Sequence, residues 1–281
     1  MNKVRTDLAE EAASLWQGGE ASGVNQRTRR VEGCAVTEVE ITTPEGAEQV
    51  GKPMGKYVTI HLPSEAQTEK PGALALGKEL SHLLNGGVKP EEPVLVAGLG
   101  NRAITPDAIG PWCVENILVT RHLEAEFPGF FTPVSAISTS VLGKTGVESG
   151  ELLHALVEKL RPSLVIAVDA LAARSVERLC NTVQLADTGI VPGSGVGNAR
   201  KALNRETLGV PVIAVGVPTV VDALTLAEEL TGVSPSPTVE RMIVTPREID
   251  RQAAACAHLV ATGINLALQR LEYEEITELM R

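Results

Sequence analysis

A chain of 281 residues that is 43% hydrophobic, 21% charged and only 2% aromatic is long enough to bury a large core, and builds it from Val, Leu, Ile and Ala rather than rings. A formal charge of −10 argues against nucleic acid as the main partner, since neutralising phosphates takes clustered Lys and Arg, and no direct nucleic-acid contact is expected; basic partners are compatible with it. The four scattered cysteines form no CxxC pair and no signal-peptide or membrane-span run occurs, so we expect no zinc or dithiol motif, no membrane partner and a reducing, cytoplasmic compartment.

In chain order, Thr6 to Trp16 reads as a short acidic helix and Gln17 to Arg30, rich in glycine and polar residues, as a loop. Alternation in Cys34–Ile41 and Tyr57–Leu62 predicts two half-exposed strands forming a hairpin or antiparallel edge, joined by a linker that carries Pro44 and Pro53. From Val94 the pattern changes to short continuous apolar runs. Val94–Ala97, Val134–Ile137, Leu164–Val168 and Val212–Val215 are predicted strands of a mainly parallel, twisted sheet buried on both faces. Helices are expected over about 73–85, 106–118, 147–161, 219–230 and 246–270, flanking that sheet. The fold class is α/β, residues 1–281 read as one domain, and no internal repeat or low-complexity tract interrupts it.

In an open parallel sheet, ligands and reacting groups collect beyond the C-terminal strand ends. Two of those ends deliver an aspartate. After the first strand comes Gly98-Leu99-Gly100-Asn101, then Thr105-Pro106-Asp107-Ala108-Ile109-Gly110, which suits a tight turn and the opening of a helix. The third strand ends directly in Asp169. An acid there is costly to desolvate unless it is paired, hydrogen-bonded or bound to a cation. Capping a helix explains Asp169 taken alone, and a first-turn charge explains Asp107; their joint occurrence favours chemistry.

A glycine-rich stretch follows, with Gly193, Ser194, Gly195, Gly197 and Asn198 as candidates for binding substrate or an oxyanion through converging amides. Its G-x-G-x-G spacing is neither a dinucleotide fingerprint nor a Walker A loop. A loop needed only for close chain approach is the alternative. No G-x-S-x-G elbow, HExxH motif or histidine-based triad is present. His122, in Val119-Thr120-Arg121-His122, is the one histidine near the candidate segments, and a surface or core histidine without function fits it as well.

Several segments together resemble one family: Arg5-Thr6-Asp7-Leu8-Ala9, Val96-Ala97-Gly98-Leu99-Gly100-Asn101 with Thr105-Pro106-Asp107-Ala108, Val119-Thr120-Arg121-His122, and Val141-Leu142-Gly143-Lys144-Thr145-Gly146. Ala167-Val168-Asp169-Ala170 to Ser175, Asp187-Thr188-Gly189 to Asn198, and Gly216-Val217-Pro218-Thr219 to Ala223 complete the set. In order and over nearly the whole length, the chain resembles the germination proteases of spore-forming bacteria (peptidase family A25). That resemblance implies a homotetrameric endopeptidase of the spore core, made as a zymogen, whose substrates are small acid-soluble DNA-binding spore proteins. It further implies that Asp107 and Asp169 are the essential aspartates. A more distant likeness, to the hydrogenase maturation endopeptidases, rests on G-x-G-N with an acid-x-x-Gly and on a strand ending in Asp-Ala; there the matching acids bind a metal.

Peptide hydrolysis needs an activated water and a proton for the leaving amine, which two carboxylates of split pKa supply. Asp107 and Asp169 are therefore the expected catalytic pair, with no cofactor. A divalent metal on the same two acids is the main alternative, and a non-catalytic nucleotide- or phosphate-binding protein a remote one. Asp7-Leu8-Ala9-Glu10-Glu11 has the order of groups at which the resembled family cuts its substrates, after the acid. Residues 1–7 are thus read as a short propeptide, removed by self-processing between Asp7 and Leu8.

Overall fold

The strand beginning at Val94 fixes the layering, because its alternate residues face opposite sides. Val94 and Val96 join one apolar cluster and Leu95, Ala97 and Leu99 another, so helices must cover both faces. The computed structural model describes residues 6–16, 22–63, 69–84, 89, 91–197, 200–232 and 242–281. Their elements run α1 (Ala9–Ser14), β1 (Val24–Val31), β2 (Cys34–Ile41), α2 (Pro44–Val50), β3 (Gly55–His61), α3 (Glu69–Leu84), β4 (Val94–Leu99) and α4 (Ile109–Val114). β5 (Val134–Ser140), α5 (Leu142–Thr145), α6 (Ser149–Leu160), β6 (Leu164–Ala173), β7 (Thr182–Ala186) and α7 (Arg205–Leu208) follow. β8 (Val212–Asp222), α8 (Ala223–Thr231), β9 (Ile243–Val244), α9 (Ile249–Gln269) and α10 (Tyr273–Leu279) complete the chain.

The strands form one mixed sheet in the order β1-β2-β3-β7-β8-β6-β4-β5, with β9 on the far part of β8. β8, β6, β4 and β5 are parallel, and the others extend the sheet in antiparallel fashion. α3, α4 and α9 cover one face through Leu76, Leu80, Ile109, Leu259 and Ile264, whereas α6 and α7 cover the other through Leu153, Val157 and Leu208. The chain leaves β4 for β5 on one side and returns to β6 on the other. The switch point of the topology therefore lies between the C-terminal ends of β4 and β6.

Five local expectations change. The loop expected over 17–30 contains β1, whose Val-Asn-Gln-Arg-Thr-Arg-Arg-Val sequence lacks an apolar face because it is an edge strand. Cross-strand ion pairs hold it: Arg27 to Glu38 at 2.8 Å and Arg29 to Glu38 at 3.2 Å. The linker with Pro44 contains α2, capped by Thr43 Oγ1 accepting from Gly46 N at 3.1 Å, with Pro44 at the position where its missing N–H costs nothing. The helix expected at 219–230 starts four residues later, since β8 runs fully buried to Asp222, which caps α8. The helix expected over 106–118 is a 3-10 turn, Thr105–Asp107, and then the short α4. Strand β7, with fully buried Thr-Val-Gln-Leu-Ala, had no apolar run long enough to announce it.

Candidate active site

Asp107 owes its position to glycines. A Cβ built on Gly98 would fall 2.2 Å from the carbonyl oxygen of Gly110, and one on Gly110 would fall 2.3 Å from that of Leu99. The α4 backbone therefore lies directly on β4. Gly100, at φ 104°, turns the chain where a Cβ would meet the Asp107 carbonyl oxygen at 2.2 Å. The Asn101 amide then donates to Asp107 Oδ2 at 2.8 Å, and Thr219 Oγ1 donates to the Pro106 carbonyl at 2.6 Å, tying the turn to β8. G-x-G-N with D-x-x-G is thus a device for close backbone approach that aims one carboxylate.

Asp169 lies in β6 one residue past Val168, which pairs with Gly98 of β4. Only 5% exposed, it accepts a hydrogen bond from the Ala170 amide at 2.9 Å. Burial pushes its carboxyl well above the usual carboxylate range, and the neighbouring charges of Asp107 and Asp7 push the same way. Burial also raises Asp107, opposed by the Asn101 amide. Both acids line one cavity of about 300 Å³, open at the switch point. It caps no helix, so the bland explanation of Asp169 does not apply.

Asp7 lines the same cavity. Its amide donates to the Ala172 carbonyl at 2.9 Å, and its Oδ2 accepts from the Ala172 amide at 2.9 Å. Its Oδ1 accepts from Ser194 Oγ at 2.6 Å. Leu8, fully buried, enters an apolar pocket of Leu171, Ala173, Leu179 and Val221. Glu11 anchors the segment from behind by accepting from the Arg174 and Ser175 amides at 2.7 and 3.1 Å. An acidic residue followed by an apolar one is therefore seated at the end of β6, three positions beyond Asp169.

The glycine loop contacts this segment. Gly193 lines the cavity, and a Cβ on Gly195 would lie 2.2 Å from Asp7 Oδ2, so only glycine lets the carboxylate in. Gly197 is exposed and ends the loop's turn at φ 71°; Asn198 lies outside the described residues. The expected amide nest does not form at Ser194 and Gly197, whose N–H groups close turns on the Val191 and Ser194 carbonyls. The Asp7 carboxylate is held by the Ser194 hydroxyl and the Ala172 amide instead. His122 is exposed on the turn Arg121–Leu123 and does not line the cavity.

For a metal, the donor set falls short of the three or four His, Cys, Asp or Glu ligands of zinc sites: among the described residues no group of three such side chains is gathered at ligating separation. All four cysteines are buried and unpaired by disulfides. No helix among the described residues is long and apolar enough to cross a membrane. Two residues that touch the seated segment, Lys52 and Gln184, were not singled out from sequence. Lys52 sits between Gly51 and Pro53 in what read as a linker, and Gln184 in the strand that was missed; the polar residue in a strand buried throughout was the available signal.

Comparison with known proteins gives a consistent picture. The family model described as Germination protease matches residues 5–231. A germination protease of Caldanaerobacter subterraneus subsp. tengcongensis is 41% identical over 99% of this chain and 98% of its own length. One from Clostridium perfringens is 41% identical over 96% of both chains, and one from Geobacillus sp. is 46% identical over 82% of this chain and 66% of its own. Among solved structures, a [NiFe] hydrogenase maturation protease HycI from Thermococcus kodakarensis KOD1 aligns with TM-score 0.41 and 17% identity, over 68% of this chain and 99% of that one.

Proposed function

This chain belongs to the germination protease family and is a protease of spore germination, and from that premise we propose that it is an endopeptidase in which Asp107 and Asp169 activate water. Its substrates are the small acid-soluble proteins of the spore core, it is made as a zymogen that cuts itself between Asp7 and Leu8, and it works as a cytoplasmic homotetramer. The observation that carries this reading is the seat of Asp7 in the same cavity as the buried Asp169 and the half-buried Asp107, with Leu8 in the adjoining apolar pocket.

The split of roles follows from environment. Asp169, deeply buried and facing the charge of Asp107, holds its proton and serves as the acid; Asp107, whose carboxylate is supported by the Asn101 amide, is the base. Water gives a proton to Asp107 as its oxygen adds to the carbonyl carbon. Asp169 protonates the nitrogen as the C–N bond breaks. Ser194 and the Ala172 amide hold the acidic side chain before the cut, and the Leu171–Val221 pocket takes the apolar one after it. The remote nucleotide-binding reading has no support, since the glycine loop faces a carboxylate of its own chain.

Asp107→Asn and Asp169→Asn each keep the volume and remove the proton chemistry. We expect cleavage of a peptide Arg-Thr-Asp-Leu-Ala-Glu-Glu to fall by at least ~10²-fold in either variant, with circular dichroism and the light-scattering mass of four chains unchanged. Near-normal turnover in either one would sink the assignment. An arm with chelator separates the two mechanisms: lost wild-type activity restored by a divalent ion would favour metal-bound water.

A further inference from the structure

The carbonyl oxygen of Asp7 accepts hydrogen bonds from Lys52 Nζ at 3.0 Å and from Gln184 Nε2 at 3.1 Å. This is the carbonyl of the Asp7–Leu8 peptide bond. Lys52 follows α2 directly after Gly51, whose left-handed φ of 71° ends the helix and turns the chain toward the segment. Its ammonium also reaches the Thr6 carbonyl at 3.3 Å. Gln184 is held in orientation by its other end: Oε1 accepts from the Ala9 amide at 2.7 Å, which leaves Nε2 facing Asp7. Both donors line a second cavity, about 230 Å³, that meets the carboxylate cavity at Asp7 and Leu171. Asp7 thus separates two carboxylates on one side from a cation and an amide on the other.

We propose that Lys52 and Gln184 are catalytic residues that polarise the carbonyl of the bond to be cut, in the chain's own Asp7–Leu8 and at the same place on a protein substrate that ends in an acid there. The proposal rests on the endopeptidase reading above. When the water oxygen adds to the carbonyl carbon, the C=O π pair moves onto the oxygen, where the ammonium and the amide hold the charge. When that intermediate collapses, the C=O bond re-forms, the C–N bond breaks, and the Leu8 nitrogen leaves with the proton from Asp169. Two donors at this distance from a developing oxyanion are worth orders of magnitude in rate, more so where water is scarce. Burial lowers the Lys52 ammonium from its usual range, while the Asp7 carboxylate supports it. That partial desolvation makes the charge more effective toward the oxyanion.

A strap that merely pins the segment would make the same two hydrogen bonds, so the test must separate seating from chemistry. In the full chain, self-processing is followed by intact mass as a first-order loss of residues 1–7, in wild type, Lys52→Met and Gln184→Glu. Gln184→Glu keeps the acceptor for Ala9 and loses the donor to Asp7. Seating is read independently, by hydrogen exchange at the Asp7 amide, which donates to the Ala172 carbonyl, and at the Ala172 amide, which donates to Asp7 Oδ2. The expected result is a rate lower by ~10²-fold in each variant with exchange protection retained. Unchanged rates would overturn the proposal. So would rates that fall only in step with lost protection, which is the behaviour of a strap. If wild type leaves its N-terminus intact, or if Asp107→Asn processes normally, the endopeptidase reading itself fails and takes this one with it.

Discussion

Asp169 concentrates the energetic conflict of the site in one residue. A carboxyl whose pKa in the fold lies above its unfolded value holds its proton more tightly when folded. The stability this confers is complete below the unfolded pKa and is lost as pH rises through the folded one. Burial and the charge of Asp107 raise Asp169 in this way, so the ionised form is a burden on the fold. Asn at 169 carries no such titration. We expect Asp169→Asn to melt a few degrees above wild type near neutral pH, with the difference shrinking as pH falls toward about 4. Calorimetric scans at a series of pH values check this, and a difference that stays constant with pH would reject the assigned shift. Stability gained together with activity lost is what a site holding costly groups for chemistry shows.

At the scale of elements, the contact between β4 and α4 decides where the second acid lies. Alanine at Gly98 meets main-chain atoms, the Gly110 carbonyl at 2.2 Å, which cannot rotate away, so α4 and the turn bearing Asp107 must shift. Gly98→Ala is expected to cost ~1–3 kcal/mol and to reduce cleavage further than that loss of folded protein explains. Gly143→Ala provides the control. Gly143 lies in α5 with open space around its Cβ direction, and the change there should leave melting and turnover near wild type. Equal effects of the two substitutions in thermal melts and peptide assays would show that close approach is not what the motif secures. The same pairing of element and site recurs in β6, whose continuation from Asp169 to Ala173 lays down in one strand the acid, the apolar pocket and the amide that meets Asp7.

For the whole molecule, the proposed zymogen reading predicts latency. On that reading the N-terminal segment takes the place of a substrate, and it puts Asp7 beside two other acids in one cavity. Protonation relieves that like-charge crowding, and burial lets Asp169 take up its proton ahead of an ordinary carboxylate. Self-processing should therefore accelerate as pH falls from neutral to mildly acidic. Intact-mass measurement should record loss of seven residues in the wild type and none in Asp107→Asn. Full activity with an unchanged N-terminus would reject the zymogen reading.

The sequence by itself determined the α/β class, the four parallel strands and the two acids at their ends, because each is written in local signals: continuous apolar runs, glycine turns, a charge where an apolar strand stops; the acidic-apolar pair at residues 7 and 8 stood out through the family resemblance alone. Edge strand β1 and the short β7 were illegible for a physical reason. One is held by cross-strand ion pairs rather than a hydrophobic face, and the other borrows its burial from neighbours distant in sequence. Only the tertiary structure decided what surrounds the Asp7 carbonyl. Lys52 and Gln184 lie 132 positions apart in sequence, on α2's trailing turn and on β7, and they converge because β7 pairs antiparallel with β3 and β8. Convergence of that kind is a property of sheet order, which no local pattern of residues encodes.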